Sequence, residues 1–140
     1  MSLEEKLEKM KKDREKANID WSDRREKWIE AYNKMINDSK TWLTPLEERG
    51  LLELGEAKKD LDEENIGKYE LRCLIIGIEE TQIAIAPMGT IISGALGRAD
   101  IINLRKNENK MLVLMGDNFD SAIWKLYYSK VPARLLEGSL

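Results

Sequence analysis

The stretch KYELRCLIIGIEETQIAIAP, residues 68–87, carries the clearest fold signal in this chain. It contains two runs of branched apolar residues, and the polar residues Glu79, Glu80 and Thr81 separate them. Branched residues favour strands, and two such runs around a short polar interruption are typical of a β-hairpin. Pro87 closes the second run, because proline has no N–H to donate to a central strand. The stretch therefore predicts a pair of antiparallel strands.

The rest of the C-terminal part has the same strand character. The runs RADIINL at 98–104 and KMLVLM at 110–115 flank a polar loop and predict a second hairpin. SAIWKLYY at 121–128 predicts another strand, and Pro132 opens a short C-terminal helix. Upstream, the charged stretch AKKDLDEENIG at 57–67 is interpreted as a connection after a short strand start. Helices do not alternate with these strands, so a doubly wound nucleotide-binding fold is not expected.

The N-terminal part has helical spacing. Large apolar residues recur every seven positions at Trp21, Trp28, Met35 and Trp42. Other apolar residues lie three and four positions from them. This pattern predicts an amphipathic helix over residues 20–43. Pro45 ends that helix, because the residue before a proline is pushed out of helical geometry. A separate short helix then begins at Thr44 and ends at Gly50.

The start of the chain is nearly all charged, except for Leu3, Leu7 and Met10. These three residues are spaced to form one line along a helix, here called the apolar line. The line continues to Trp21, so the N-terminal part forms either one long helix or a helical pair with a break near residues 18–20. An isolated helix of this kind is marginal in water. The segment therefore needs a partner, and a second copy of the chain is the simplest one.

Together these patterns predict one α+β structural unit. A helical arm, residues 1–43, precedes an antiparallel β domain with short flanking helices, residues 44–140. The sheet is a curved meander of five to six strands, either open or closed into a partly open barrel. The sequence leaves the strand order undetermined.

The composition argues against several classes of function. Acidic residues outnumber basic ones by 26 to 23, which disfavours a nucleic-acid binder because phosphate contacts need a basic surface. The chain has no histidine, the commonest general base and metal ligand, and its one cysteine excludes an internal disulfide. We therefore expect no catalytic residue, no metal and no cofactor, and an enzyme is the least favoured class.

The sequence also predicts a cytoplasmic protein without a membrane partner. The charged start lacks the apolar core of a signal peptide. The longest uncharged run, residues 81–97, is too short to span a membrane as a helix.

The glycine-rich stretch IAPMGTIISGALGRAD, residues 85–100, is the candidate ligand site. Gly89 and Gly94 have the spacing of a phosphate-binding loop, but alanine and leucine stand where that loop needs a lysine and a hydroxyl. A corner between strands is the favoured interpretation, since glycine reaches positive φ without strain.

Arg98 and Asp100 lie two residues apart, which places them on the same side of a strand. They either form an internal salt bridge or, with Gly94 and Gly97, line a site for a small molecule or nucleic acid. Arg98 is the stronger candidate of the pair, because its planar guanidinium matches carboxylate and phosphate groups.

The pattern Pro-x-Gly-Thr-x-Ile-x-Gly-x-x-Gly-Arg-x-Asp over residues 87–100 resembles one found in uncharacterised small bacterial proteins. A Trp42-Leu43 pair ahead of the sheet and Trp124 in a late strand are similar as well. The resemblance covers residues 21–124. The resemblance implies that residues 87–100 are a signature of the fold, and it implies no function.

The sequence supports two functional hypotheses. The first is a non-enzymatic binding or assembly module that associates through its N-terminal helix, with itself or with another protein. Its candidate interface residues are Leu3, Leu7, Met10, Trp21 and Trp28. The alternative is a ligand-binding protein that uses the corner with Arg98 and Asp100.

Overall fold

The computed structural model describes residues 2–92, 94–106 and 108–128, excepting the side chains of residues 13–20 and Tyr128. The described part contains one helix followed by six strands: α1 (Leu3–Glu48), β1 (Glu53–Glu63), β2 (Gly67–Ile78), β3 (Thr81–Gly89), β4 (Gly97–Asn103), β5 (Glu108–Met115) and β6 (Ile123–Tyr128).

The six strands form one antiparallel sheet, and each strand pairs with its neighbours in the chain. The sheet is therefore open, with β1 and β6 as its two edges. The α+β class, the antiparallel meander and the two predicted hairpins are confirmed. The helix expected after Pro132 lies outside the described residues.

The N-terminal part is one continuous helix of 46 residues, which selects the single helix over the helical pair. The Ser2 hydroxyl caps its start by accepting the N–H of Glu5 at 3.2 Å. At 1.5 Å per residue the helix is about 69 Å long. The longest strand, β2, has 12 residues and spans about 40 Å. The helix is thus longer than the sheet that it packs against.

Pro45 does not end the helix, so that prediction is wrong. The proline lies in the last turn, where its missing N–H removes only one hydrogen bond. Leu46 beyond it packs against the core and continues the helix. The chain leaves the helix at Gly50, whose φ is +73° and whose N–H bonds the Glu47 carbonyl at 2.9 Å. The expected separate helix is part of α1, and α1 crosses the expected domain boundary after residue 43.

Strand β1 includes residues 57–63 of the charged stretch for which the sequence predicts a connection, so the prediction is wrong for these residues. It is an edge strand, exposed along most of its length. Lys58 pairs with Glu70 of β2, and Glu56 pairs with Lys40 of α1 and Arg72 of β2. The hydrogen bond from Lys40 lowers the pKa of the Glu56 carboxyl below its ordinary value. Charge pairs across elements replace the apolar pattern of a buried strand.

The core lies between α1 and the sheet. Trp28, Tyr32 and Ile36 follow one another at four-residue spacing and are fully buried. The Tyr32 hydroxyl donates a hydrogen bond to the Arg72 carbonyl at 2.6 Å. Burial raises the pKa of Tyr32 above its ordinary value, so the hydroxyl keeps the proton that it donates.

Trp42 departs from the predicted apolar stripe, since it is 83% exposed. A seven-residue repeat drifts by about 20° per heptad around a straight helix. Trp42 lies two heptads beyond Trp28, so it has rotated away from the buried face. Leu43 and Leu46 pack against the core instead.

Strand β2 buries opposite faces at its two ends. Leu74 and Ile76 are buried near its end, whereas Leu71, which faces the other side, is buried near its start. The β1–β2 register continues through this point without a shift, so the hairpin twists. As a result, Leu61 of β1 joins the same core and Glu63 reaches the loop after β3.

Candidate functional site

The loop between β3 and β4, together with the strand ends that flank it, is here called the glycine corner (residues 87–98) and contains the candidate ligand site. It begins where the β3–β4 register shifts, between Pro87 and Gly89. Gly89 and Gly94 have φ values of +143° and +74°, which glycine adopts readily and other residues rarely do. A Cβ at position 89 would also overlap the Glu63 carboxylate. The interpretation as a corner between strands is confirmed.

Arg24 of α1 fastens the glycine corner to the helix. Its guanidinium donates hydrogen bonds to the Thr90 hydroxyl at 3.0 Å, the Thr90 carbonyl at 2.7 Å and the Ala95 carbonyl at 3.0 Å. Thr90 is fully buried, and its hydroxyl donates to the Leu96 carbonyl at 2.6 Å. One helix side chain therefore satisfies carbonyl groups at two places in the corner.

Glu63 of β1 holds the same corner through its backbone N–H groups. Its Oε1 atom accepts the N–H groups of Thr90 and Ile91, both at 2.9 Å. Its Oε2 atom accepts the Tyr69 hydroxyl, which itself accepts the indole N–H of Trp28 at 3.0 Å. Burial and the hydrogen bond to Glu63 raise the pKa of Tyr69, so the hydroxyl remains a donor. A chain of hydrogen bonds thus connects the core tryptophan to the corner.

These contacts fill the position that an anion would take. Phosphate loops offer backbone N–H groups to the bound anion. In the glycine corner, the N–H groups of Thr90 and Ile91 already bind the chain's own carboxylate, Glu63. The Arg24 guanidinium is likewise bound to carbonyl oxygens. The corner is a structural joint between α1, β1 and the rest of the sheet.

Arg98 and Asp100 form an ion pair with each other. Two guanidinium nitrogens of Arg98 donate to the two carboxylate oxygens of Asp100, at 2.8 and 3.0 Å. Asp100 is 2% exposed and also accepts the side-chain amide of Asn109 at 2.9 Å. The Asn109 carbonyl oxygen is the one buried side-chain polar atom without a hydrogen bond in the described part of the chain. Of the two sequence interpretations, the geometry favours the internal salt bridge.

The two glycines predicted beside that pair have different surroundings. Gly94 is exposed, and a Cβ on it would meet no atom within 4 Å. Gly97 is buried beneath the Trp28 ring, where a Cβ would come within 3.0 Å of three ring carbons. Gly97 is therefore a packing position and offers no surface to a ligand.

The first part of α1, here called the N-terminal arm (residues 3–20), precedes the helix residues that pack into the core, the first of which is Trp28. Every side chain that the structure describes in the arm is exposed. Leu3, Leu7 and Met10 are 72%, 55% and 56% exposed, although each is a large apolar residue. Isolated exposed apolar residues are ordinary, whereas large contiguous apolar patches are typical of interaction surfaces.

Trp28 does not belong in the interface that the sequence predicted. It is fully buried in the core of its own chain, with the ring centroids of Tyr32 and Trp124 at 5.6 and 5.9 Å. Trp21 is half-buried, and the Arg24 guanidinium lies 6.0 Å from its ring centroid. Among residues 3–12, the part of the arm whose side chains the structure describes, the exposed large apolar residues are Leu3, Leu7 and Met10.

No family model, curated protein or solved structure matches this chain. Within residues 2–92, 94–106 and 108–128, no group of three or more histidine, cysteine or carboxylate side chains is placed to bind a metal ion. No helix in those ranges is long and apolar enough to cross a membrane. The function is therefore inferred from the arm and the corner themselves.

Proposed function

We propose that this chain is a non-enzymatic assembly module that associates with a second copy of itself through the N-terminal arm. The observation that supports the proposal is the line of exposed apolar side chains Leu3, Leu7 and Met10. The line lies on the stretch of α1 from residue 3 to residue 12, about 15 Å long, in which every side chain is exposed.

The arm needs a partner for physical reasons. A lone helix in water is marginal, and charge pairs along it contribute only about 0.2–0.5 kcal/mol each. Covering the apolar line with a second helix would add roughly 25 cal/mol for each Å² removed from water. A second copy supplies a matching line, because a two-fold dimer brings the same surface of both chains together.

The apolar line continues the helix face that forms the core. Eighteen residues make five turns at 3.6 residues per turn. Leu3 therefore lies on the same side of α1 as Trp21, and Met10 on the same side as Trp28. Trp28 is covered by the chain's own sheet, whereas Met10 is exposed. The same side of α1 thus packs against the sheet in its C-terminal part and is exposed for a partner in the N-terminal arm.

Catalysis has less support than assembly. Burial raises the pKa of the Cys73 thiol, which disfavours the thiolate that a reactive cysteine needs. The Glu63 and Asp100 carboxylates are each hydrogen-bonded to several groups within the fold.

Leu7→Glu is expected to abolish self-association at micromolar concentration, because it places a charge in the middle of the apolar line. The free energy of unfolding of the monomer should change by less than about 0.5 kcal/mol, since Leu7 is exposed and outside the core. Sedimentation equilibrium over a concentration series measures association. Urea unfolding followed by tryptophan fluorescence measures the stability of the monomer.

Lys9→Gln is the matched control, since it changes the net charge by the same amount on the opposite side of the arm. It should leave self-association unchanged. A wild-type chain that stays monomeric over the whole concentration range would overturn the proposal. A Leu7→Glu variant that still associates as the wild type does would overturn it as well.

The alternative is a site for a small molecule or nucleic acid at Arg98 and Asp100. A partly exposed arginine beside a glycine corner favours it, because a guanidinium fork matches carboxylate and phosphate groups. The bidentate pairing of Arg98 with Asp100 weighs against it, since a ligand would have to compete with a buried carboxylate.

Arg98→Ala is expected to lower the free energy of unfolding by about 2 kcal/mol, because it leaves the buried Asp100 carboxylate with Asn109 alone. Arg105→Ala is the control, since Arg105 pairs with Glu80 at an exposed site and should cost less than about 0.5 kcal/mol. Thermal unfolding with inorganic phosphate, nucleotides and oligonucleotides tests the ligand. We expect no rise in melting temperature, whereas a rise that Arg98→Ala removes would favour the ligand site.

A further inference from the structure

We infer that two copies pair their arms antiparallel, with Leu7 of one chain opposite Met10 of the other. The inference rests on the proposed function and adds the geometry of the interface to it. Two independent features support it: the charges that flank the apolar line, and the position of each chain's own sheet.

The apolar line has the spacing of a coiled-coil seam. Leu3, Leu7 and Met10 are separated by four and then three residues. This spacing places Leu3 and Met10 at heptad position d and Leu7 at position a. Three flanking positions within residues 3–12 are charged and exposed. Lys6 lies at position g, and Glu4 and Lys11 lie at the two e positions.

A parallel, in-register pair would set like charges against each other. Position g of one helix then faces position e of the next heptad of its partner. Lys6 would face Lys11 of the partner at two symmetry-related places, and like charges so placed are destabilising. In an antiparallel pair the e positions of the two helices face each other. Glu4 of each chain then faces Lys11 of the other, which gives two favourable contacts. The charges of the arm favour the antiparallel pair.

The position of the sheet leads to the same orientation. Trp28 lies on the same side of α1 as the apolar line and is covered by the sheet. A parallel partner that followed this side would meet the sheet within the seam. When Leu7 lies opposite Met10 in the antiparallel pair, the partner helix begins opposite residue 14. That point is about 10 Å before Trp21, so each sheet lies outside the paired segment.

Lys11→Glu distinguishes the two orientations by the sign of its effect. In the antiparallel pair it sets a glutamate against Glu4 of the partner at both places, so we expect Kd to rise about tenfold. In a parallel pair it would replace the repulsion between Lys6 and Lys11 with an attraction and lower Kd. Sedimentation equilibrium of the full chain at low ionic strength, where surface charges are screened least, measures the change. A lowered or unchanged Kd overturns the antiparallel assignment.

A charge swap provides the rescue. Combining Glu4→Lys with Lys11→Glu restores opposite charges in the antiparallel pair, so Kd should return to the wild-type value. The matched control is the swap of Glu8→Lys with Lys12→Glu, which lies away from the seam and should leave Kd unchanged. A double variant that binds as weakly as Lys11→Glu alone counts against the pairing of Glu4 with Lys11.

Disulfide formation gives a readout that does not depend on charge. In a Cys73→Ser background, Leu7→Cys chains mixed with Met10→Cys chains should form a mixed disulfide dimer on oxidation, because the two positions face each other. Leu7→Cys chains alone should form little dimer. Efficient dimer formation by Leu7→Cys alone indicates a parallel pair and overturns the inference.

The two proposals fail in different ways. A wild-type chain that is monomeric at every concentration overturns self-association and the arm pairing together. If the wild type dimerises, Leu7→Glu raises Kd and Lys11→Glu lowers it, the arm remains the interface and only the antiparallel orientation is overturned.

Discussion

Gly97→Ala is expected to lower the free energy of unfolding by about 3 kcal/mol, because it overpacks a filled part of the core. A Cβ at this position would come within 3.0 Å of the Cζ3, Cε3 and Cη2 atoms of Trp28. The ring has little room to move, since its indole N–H is bonded to Tyr69 and Trp124 packs against it. Urea unfolding of the purified variant measures the loss.

Gly55→Ala is the control in the same sheet, since the nearest atom to a Cβ there is Ile75 Cβ at an ordinary 3.9 Å. It should cause no loss of stability. A double-mutant cycle with Trp28→Leu tests the cause directly, because a smaller side chain should accept the added methyl group of Gly97→Ala. An equal cost of that methyl group in both backgrounds would contradict the packing account.

Arg24→Ala is expected to lower the free energy of unfolding by about 3 kcal/mol. The carbonyls of Thr90 and Ala95 lose a charged donor, and a buried polar group without a partner costs roughly 1–3 kcal/mol. The amide of Ile91, in the same corner, should also exchange faster with solvent. Urea unfolding and hydrogen exchange measure the two effects.

The neighbouring Arg25 provides the control for Arg24. Arg25 donates a single hydrogen bond of 3.3 Å to the Ile66 carbonyl, so Arg25→Ala should cost less than about 1 kcal/mol. Arg24→Lys should recover little of the loss, because a lysine lacks the planar fork that reaches both carbonyls. Equal losses at the two arginines would show that the contacts of Arg24 with the corner carry no special weight.

The sequence predicted the strands that are rich in apolar residues, and it missed β1, most of whose residues are polar and exposed. Strands β2 to β5 carry branched apolar residues that pack into the core, and β6 contributes Trp124 to it. Strand β1 is held by charge pairs with Lys40, Glu70 and Arg72, which lie in other elements. A charged run has the same composition in an edge strand as in a loop, so its own residues could not distinguish the two.

The end of the helix was unpredictable for a similar reason. Pro45 is a strong local signal for a helix end. Whether it ends the helix depends on the packing of Leu43 and Leu46 against the sheet, which is a tertiary contact. Gly50 was the correct signal, because only its positive φ turns the chain away from α1.

The glycines of the corner predicted a turn, but not the side chains that hold it. Arg24 and Glu63 lie 66 and 27 residues from Thr90 in the sequence. One belongs to a charged helix surface and the other to an acidic strand, so neither has a local signal that distinguishes it from its neighbours. The pairing of Arg98 with Asp100 was among the predicted alternatives, because it depends only on the alternation of side chains along one strand.

The order of the strands has a consequence for how the chain folds. Each strand pairs with its sequence neighbour, so the sheet can form one hairpin at a time from local contacts. The distant contacts belong to α1: the Trp28–Tyr69 hydrogen bond spans 41 residues, and the Arg24–Ala95 hydrogen bond spans 71. Most of the entropic cost of closing long loops therefore falls on one step, in which α1 makes these contacts. That step is the packing of α1 against the sheet, with the Trp28 ring over Gly97.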